Sequence, residues 1–190
     1  MTQSFASFRR VLAPTESLVA HSLYLRPPAP SDMAFVRWLW ADEETMRPVG
    51  GPILLRDDEA ERWYARVVDP GRGADCYCLI HLLDDSPVGE ISFHRLEPQR
   101  MAADLNLKVM ASARGRGIGR EAGRRFLDYY FNSFGGRLLT DNLAPGNALG
   151  QAVIAGLGFR QVSGHGDVVR YELSAEEFRQ LPGHSGGRQV

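Results

Sequence analysis

The sequence contains very little lysine and carries almost no net charge. Of its 22 basic residues only Lys108 is a lysine, and the formal net charge at pH 7 is −1. A strongly basic chain would attract nucleic acid or an anionic membrane through its overall field. This chain has no such field, so we predict neither nucleic acid nor a membrane as its partner.

Cysteines and long apolar runs are also scarce. Cys76 and Cys78 are separated by one residue, and alone they can form neither a structural disulfide nor a four-ligand zinc site. No window approaches the roughly 18 unbroken apolar residues of a membrane span, and no signal-peptide pattern precedes the first strand. These absences predict a cytoplasmic protein with free thiols and no metal.

The length predicts one domain. A chain of 190 residues is long enough for one well-buried core and too short for two domains of typical size. We predict an arm over residues 1–20, a single domain over residues 21–180 and a flexible tail over residues 181–190, where apolar residues that could order the chain are few.

The most informative stretch lies between Ala102 and Phe134. Its first part alternates between apolar and polar residues, as a strand with one buried face does. After a glycine-rich turn the apolar period changes to four, which is typical of one stripe of an α-helix. The strand has Leu105, Leu107 and Val109 on one face and Asp104, Asn106 and Lys108 on the other. The helix stripe comprises Ile118, Ala122, Phe126, Tyr130 and Phe134.

The turn between strand and helix has the composition of an anion site. Three glycines in five residues remove the Cβ atoms that would keep a ligand from the backbone. The free N–H groups of the first helical turn and the helix dipole favour negative charge, so the turn predicts a phosphate or pyrophosphate site. The alternative is a plain connection that needs glycine for its geometry. The glycines are Gly115, Gly117 and Gly119, and the interleaved arginines are Arg114, Arg116 and Arg120.

The spacing excludes two common phosphate loops. A Walker loop needs a lysine directly after its last glycine, and none follows here. A dinucleotide-binding turn needs Gly-x-Gly-x-x-Gly with an acidic residue about twenty positions later, whereas these glycines are evenly spaced.

The stretch resembles the coenzyme A pyrophosphate loop of the GNAT superfamily of N-acetyltransferases. The pattern Arg/Gln-x-x-Gly-x-Gly/Ala is matched by Arg114, Gly117 and Gly119, and Asn147 with Gly158-Phe159 follow at the distance typical of the family. The resemblance covers roughly residues 21–173. It implies an α+β fold, with a mixed, mostly antiparallel sheet, helices on both faces and one splayed parallel strand pair. The implied acetyl-CoA-binding residues are Leu107, Val109, Met110, Arg114, Gly115, Arg116, Gly117, Ile118, Gly119, Arg120 and Asn147.

Two carboxylates are candidates for the base that deprotonates the amine. Asp104 lies on the polar face of the glycine-loop strand, where many family members have a glutamate, and its alternative role is a solvated carboxylate that balances an arginine. Glu90 lies on the preceding strand with Ser92 and His94 on the same face, for which a solvent-facing surface is the alternative interpretation.

Two further positions carry open alternatives. Asn147 is suited both to a coenzyme contact and to a helix N-cap, and the two roles are compatible. Many family members have a tyrosine that protonates the departing thiolate, but the corresponding residue here is Ile154, which cannot donate a proton. A water or Ser92 would then protonate the thiolate, or the thiolate would leave unaided.

The resemblance implies an acetyl-CoA-dependent N-acetyltransferase that acts by direct attack in a ternary complex. The first half is similar to the branch that acetylates ribosomal-protein N-termini, aminoglycosides or polyamines. The expected acceptor is a primary amine, either a small molecule or a peptide N-terminus, and a homodimer is compatible with the sequence. The alternative is a non-catalytic module that binds or senses acyl-CoA.

Overall fold

A seven-stranded sheet organises the chain in the computed structural model, which describes residues 22–67 and 75–182. The strands are β1 (Leu23–Arg26), β2 (Cys76–Leu82), β3 (Pro87–Glu97), β4 (Ala102–Val109), β5 (Leu138–Leu143), β6 (Arg160–His165) and β7 (Val168–Ser174). Their order across the sheet is β1-β2-β3-β4-β5-β7-β6.

Six α-helices accompany the sheet in the described part of the chain. They are α1 (Met33–Ala41), α2 (Glu43–Met46), α3 (Asp57–Val67), α4 (Ile118–Asp128), α5 (Ala148–Gly156) and α6 (Ala175–Gln180). Helix α4 continues as a π-helical segment, Tyr129–Phe134. None of the helices in the two described ranges has both the length and the apolar character that crossing a bilayer requires.

One strand pair is parallel and short. Strands β4 and β5 pair over only three residues, and the last pair is Asp104 with Thr140. Beyond it β4 stays paired with β3 and β5 stays paired with β7, so the two strands diverge. The α+β class, the mostly antiparallel sheet and the splayed parallel pair are confirmed.

The two faces of the sheet carry separate cores, because strand side chains alternate. Cys76, Cys78 and Ile80 of β2 face a large core that includes the buried stripe of α4. Tyr77 and Leu79 face the other side, where they pack with residues of α1 and α3. Both cysteines are free and buried, as predicted.

Some local sequence patterns differ from the structure. The prolines and glycines of residues 43–55 indicate a loop, but the segment begins with α2, which Asp42 caps by accepting a hydrogen bond from the Thr45 N–H. Ser31 and Asp32 are N-cap candidates for α1 by residue type, but the Asp32 side chain instead binds Arg26 and the Ala29 N–H. The predicted arm over residues 1–20 and tail residues 183–190 lie outside the described residues.

Candidate active site

The diverging strands open into a cavity of about 440 Å³. Its walls come from the ends of β4 and β5, the glycine turn, the first turn of α4 and one side of α5, together with residues after α1 such as Thr45. Most of the predicted coenzyme residues therefore lie around one space. Those that line it are Leu107, Val109, Arg114, Gly115, Gly117, Ile118, Gly119, Arg120 and Asn147, whereas Met110 and Arg116 do not.

The glycine turn presents a helix N-terminus to this cavity. Gly115 and Gly117 have φ angles of +76° and +79°, a conformation that favours glycine. Gly117 is the N-cap of α4, and its carbonyl accepts from the Glu121 N–H at 3.0 Å. The N–H groups of the first helical turn, residues 118–120, therefore have no intrahelical acceptor and can hold an anion.

Arg114 holds the turn in place with its side chain. Its guanidinium donates to the carbonyl oxygens of Val109 at 3.1 Å, Thr45 at 2.7 Å and Glu44 at 3.3 Å. The same segment is tied a second time by the Ala111 N–H, which donates to Thr45 Oγ1 at 2.9 Å. Of the three arginines predicted to surround the anion, Arg114 and Arg120 line the cavity and Arg116 does not, and Arg114 also joins the turn to α2.

Asn147 is the N-cap of α5, as its alternative interpretation predicted. Its side-chain oxygen accepts from the Gly150 N–H at 3.0 Å. The residue also lines the cavity. Capping orients the side chain without removing it from the site, so the coenzyme contact stays a prediction compatible with the cap.

The side chain of Glu90 on β3 is fully buried, so the solvent-facing interpretation is wrong for this residue. Its Oε1 accepts from Lys108 Nζ at 2.6 Å and Asn106 Nδ2 at 3.0 Å, and its Oε2 accepts from Trp40 Nε1 at 2.7 Å and from the Tyr77 hydroxyl. Burial alone would raise the pKa of Glu90, but the Lys108 ammonium and these hydrogen bonds outweigh it and the pKa lies below its usual range. Four donors occupy a carboxylate's four lone-pair sites, so Glu90 has none left for a substrate proton.

Asp104 lies at the point where β4 and β5 separate. Its carboxylate accepts from the Thr140 hydroxyl across the last parallel pair and forms an ion pair with Arg95 Nε at 2.8 Å. The carboxylate does not line the cavity. These contacts support a role in fixing the divergence of the strands, and its proposed role as base gains no support from them.

Asp141, which the sequence analysis did not select, is the carboxylate that lines the cavity among the described residues. It is only 8% exposed. Burial raises its pKa to about 7, with a smaller upward contribution from Asp104, while the Asn142 N–H and Lys108 act in the opposite direction. A carboxyl group in this state changes its protonation near neutral pH.

The raised pKa of Asp141 predicts a pH-dependent cost to stability. Because the folded pKa exceeds the unfolded value, folded protein becomes less stable as pH rises from about 4 to about 7. Asp141→Asn removes this pH dependence. The difference in free energy of unfolding between the variant and wild type should therefore increase in favour of the variant by roughly 2 to 3 kcal/mol from pH 5 to pH 8. Urea unfolding of both proteins at the two pH values measures this difference, and a constant difference would contradict it.

No cluster of three or more histidine, cysteine or acidic side chains suited to a metal ion occurs within residues 22–67 and 75–182.

Comparison with protein families identifies the family of this chain. Residues 22–160 match the family model of the acetyltransferase (GNAT) domain. The chain belongs to this family. The predicted superfamily and the prediction of an N-acetyltransferase are thereby confirmed, whereas the match does not distinguish the narrower branch. None of the curated proteins matches the sequence significantly.

Solved GNAT structures have the same fold. The spermidine N-acetyltransferase of Vibrio cholerae, solved with CoA and spermine, is similar with a TM-score of 0.75 and 18% identity, over 83% of this chain and 98% of that chain. An acetyltransferase of the GNAT family from Bacillus anthracis gives a TM-score of 0.68 with 18% identity, over 83% of this chain and 97% of that chain.

Proposed function

We propose that this GNAT protein transfers the acetyl group of acetyl-CoA to a primary amine, by direct attack of the amine in a ternary complex. The observation that carries the proposal is the three-residue pairing of β4 with β5, which leaves a cavity beside an open helix N-terminus. The N–H groups at the start of α4 would hold the pyrophosphate. An extended arm with amide groups would pair with the edge of β4 that β5 leaves uncovered.

Direct attack is supported by the position of the cysteines. An acyl-enzyme route needs a nucleophile that reaches the thioester. Cys76 and Cys78 are 1% and 0% exposed and pack in the core under α4, and neither lines the cavity. The amine nitrogen would therefore form its bond to the thioester carbon without a cysteine intermediate.

A cationic amine is the acceptor that we propose, because two exposed carboxylates lie close to the cavity wall. Glu43 and Glu44 are exposed on α2, next to Thr45 in the cavity wall. Carboxylates at this position attract a positively charged amine from solution. The Vibrio cholerae relative, a spermidine N-acetyltransferase, supports a polyamine as one acceptor class beside aminoglycosides and peptide N-termini. The cytoplasmic location and the homodimer remain predictions.

Two measurements test the proposal. Titration calorimetry should detect CoA binding, and thiol release from acetyl-CoA should accelerate with at least one amine among spermidine, spermine, an aminoglycoside and an alanyl peptide. Absence of CoA binding by folded protein would overturn the proposal.

An acyl-CoA-sensing module is the second candidate function. Ile154, which occupies the position of the family's proton-donating tyrosine by resemblance, is 2% exposed and lines the cavity with an apolar side chain. Binding of CoA without acceleration of thiol release by any amine of the panel would favour this candidate.

A further inference from the structure

Asp141 occupies a distinctive position in the cavity wall. It follows Thr140, the last residue of β5 that pairs with β4, and it opposes Tyr171 of β7 in the sheet register. The carboxyl group therefore lies where the strands diverge and where an arm threaded between them would pass. Its neighbour Asn142 is exposed and does not line the cavity.

The other charged side chains around the cavity are poor proton donors. Arginine does not release its proton in proteins, which excludes Arg114 and Arg120. Lys108 Nζ is bound to Glu90 at 2.6 Å and to Asn106 Oδ1 at 2.8 Å. Asp141 has no comparable side-chain partner among the described residues.

We infer that Asp141, in its carboxylic acid form, donates the proton that the departing CoA thiolate takes up; this inference rests on the proposed acetyl transfer. The amine nitrogen bonds to the thioester carbon, the carbon–sulfur bond breaks, and the sulfur receives the Asp141 proton. The proton lost by the amine nitrogen passes through water and restores the carboxyl group.

The electrostatic surroundings suit this role. Asp104 and Lys108 on β4 act on Asp141 in opposite directions, Arg114 and Arg120 lie around the same cavity, and burial is the dominant influence. The resulting pKa of about 7 keeps a substantial protonated fraction at neutral pH. Transfer from such a group to a thiolate, whose conjugate thiol has a pKa near 8.5 in cysteine, is favourable.

The test compares wild type, Asp141→Asn and Asn142→Ala in single-turnover thiol release from acetyl-CoA, with the fastest amine of the panel, between pH 6 and pH 9. Asp141→Asn should slow release about 100- to 1,000-fold while CoA affinity, measured by calorimetry, changes less than about threefold. The wild-type rate constant, corrected for the free-base fraction of the amine, should fall above about pH 7, and the variant should lose this fall. Asn142→Ala should behave as wild type.

Three outcomes would overturn the inference. An unchanged rate in Asp141→Asn would remove the proton-donor role, and loss of CoA affinity would indicate a binding role instead. A corrected rate that rises through pH 7 in wild type, and loses this rise in the variant, would assign Asp141 to deprotonation of the amine. Failure of wild type to bind CoA or to acetylate any amine would refute the proposed function itself, so the two failures are distinguishable.

Discussion

Replacing Glu90 with glutamine is expected to lower the free energy of unfolding by about 3 to 5 kcal/mol at pH 7. The carboxylate is fully buried and joins β3 to side chains of α1, β2 and β4. A glutamine would leave the Lys108 ammonium, whose side chain is 13% exposed, without its counter-charge. The NH2 group of the glutamine would also face N–H and O–H groups that now donate to Glu90, so some of these donors would lose their acceptor.

The matched control is Glu97→Gln on the same strand. Glu97 forms an exposed ion pair with Arg100 at 3.3 Å, and surface pairs of this kind contribute at most about 1 kcal/mol. Adding Lys108→Met to Glu90→Gln should recover part of the lost stability, because the double variant buries no unpaired charge. Urea unfolding of wild type and the three variants measures these differences.

The pH dependence gives a second check on Glu90. The folded state lowers the pKa of Glu90, so the stability that its carboxylate contributes is present above the unfolded pKa and is lost as pH falls through the folded pKa. The difference in free energy of unfolding between wild type and Glu90→Gln should therefore become smaller below about pH 4. A Glu90→Gln protein of wild-type stability that had lost acetyl transfer would instead restore Glu90 as a candidate base.

The glycine turn and its flanking elements could be predicted from sequence because their signals are local. Alternation marks β4, the period of four marks α4, and three glycines mark the turn, all within one continuous stretch. The Asn147 cap is likewise encoded by residues next to it. Local patterns of this kind depend on backbone geometry, which neighbouring residues largely determine.

The chemistry of the carboxylates could not be predicted in this way. The hydrogen-bond donors to Glu90 come from residues 13 to 50 positions away, so only the folded structure brings them together. Whether Asp141 faces the cavity depends on how far β5 extends and on which strands it pairs with. Pairing with β7 carries β5 on to Leu143, which places Asp141 inside the strand and in the cavity wall. The signal available in the sequence was an acidic residue in the strand that follows α4.

Gly119→Leu is expected to weaken CoA binding at least about 100-fold, which corresponds to about 2.8 kcal/mol of binding free energy. A Cβ atom at Gly119 would lie 3.6 to 3.8 Å from side-chain atoms of Val109, Leu107 and Val153, all of which line the cavity. These are ordinary contact distances, so one methyl group fits there. The longer leucine side chain would extend into the space beside the first helical turn, where we place the pyrophosphate.

The control for this variant is Gly119→Ala. The alanine methyl group fits at ordinary contact distances and does not extend further into the cavity, so CoA affinity should change less than about threefold. Both alanine and leucine favour a helix over glycine by roughly 0.5 to 1 kcal/mol. Loss of binding in Gly119→Leu should therefore occur in a protein whose thermal unfolding midpoint is unchanged or raised, which excludes misfolding as its cause. If calorimetry found equal CoA affinity in the leucine and alanine variants, the pyrophosphate would have to bind elsewhere, and the role that we assign to the start of α4 would be refuted.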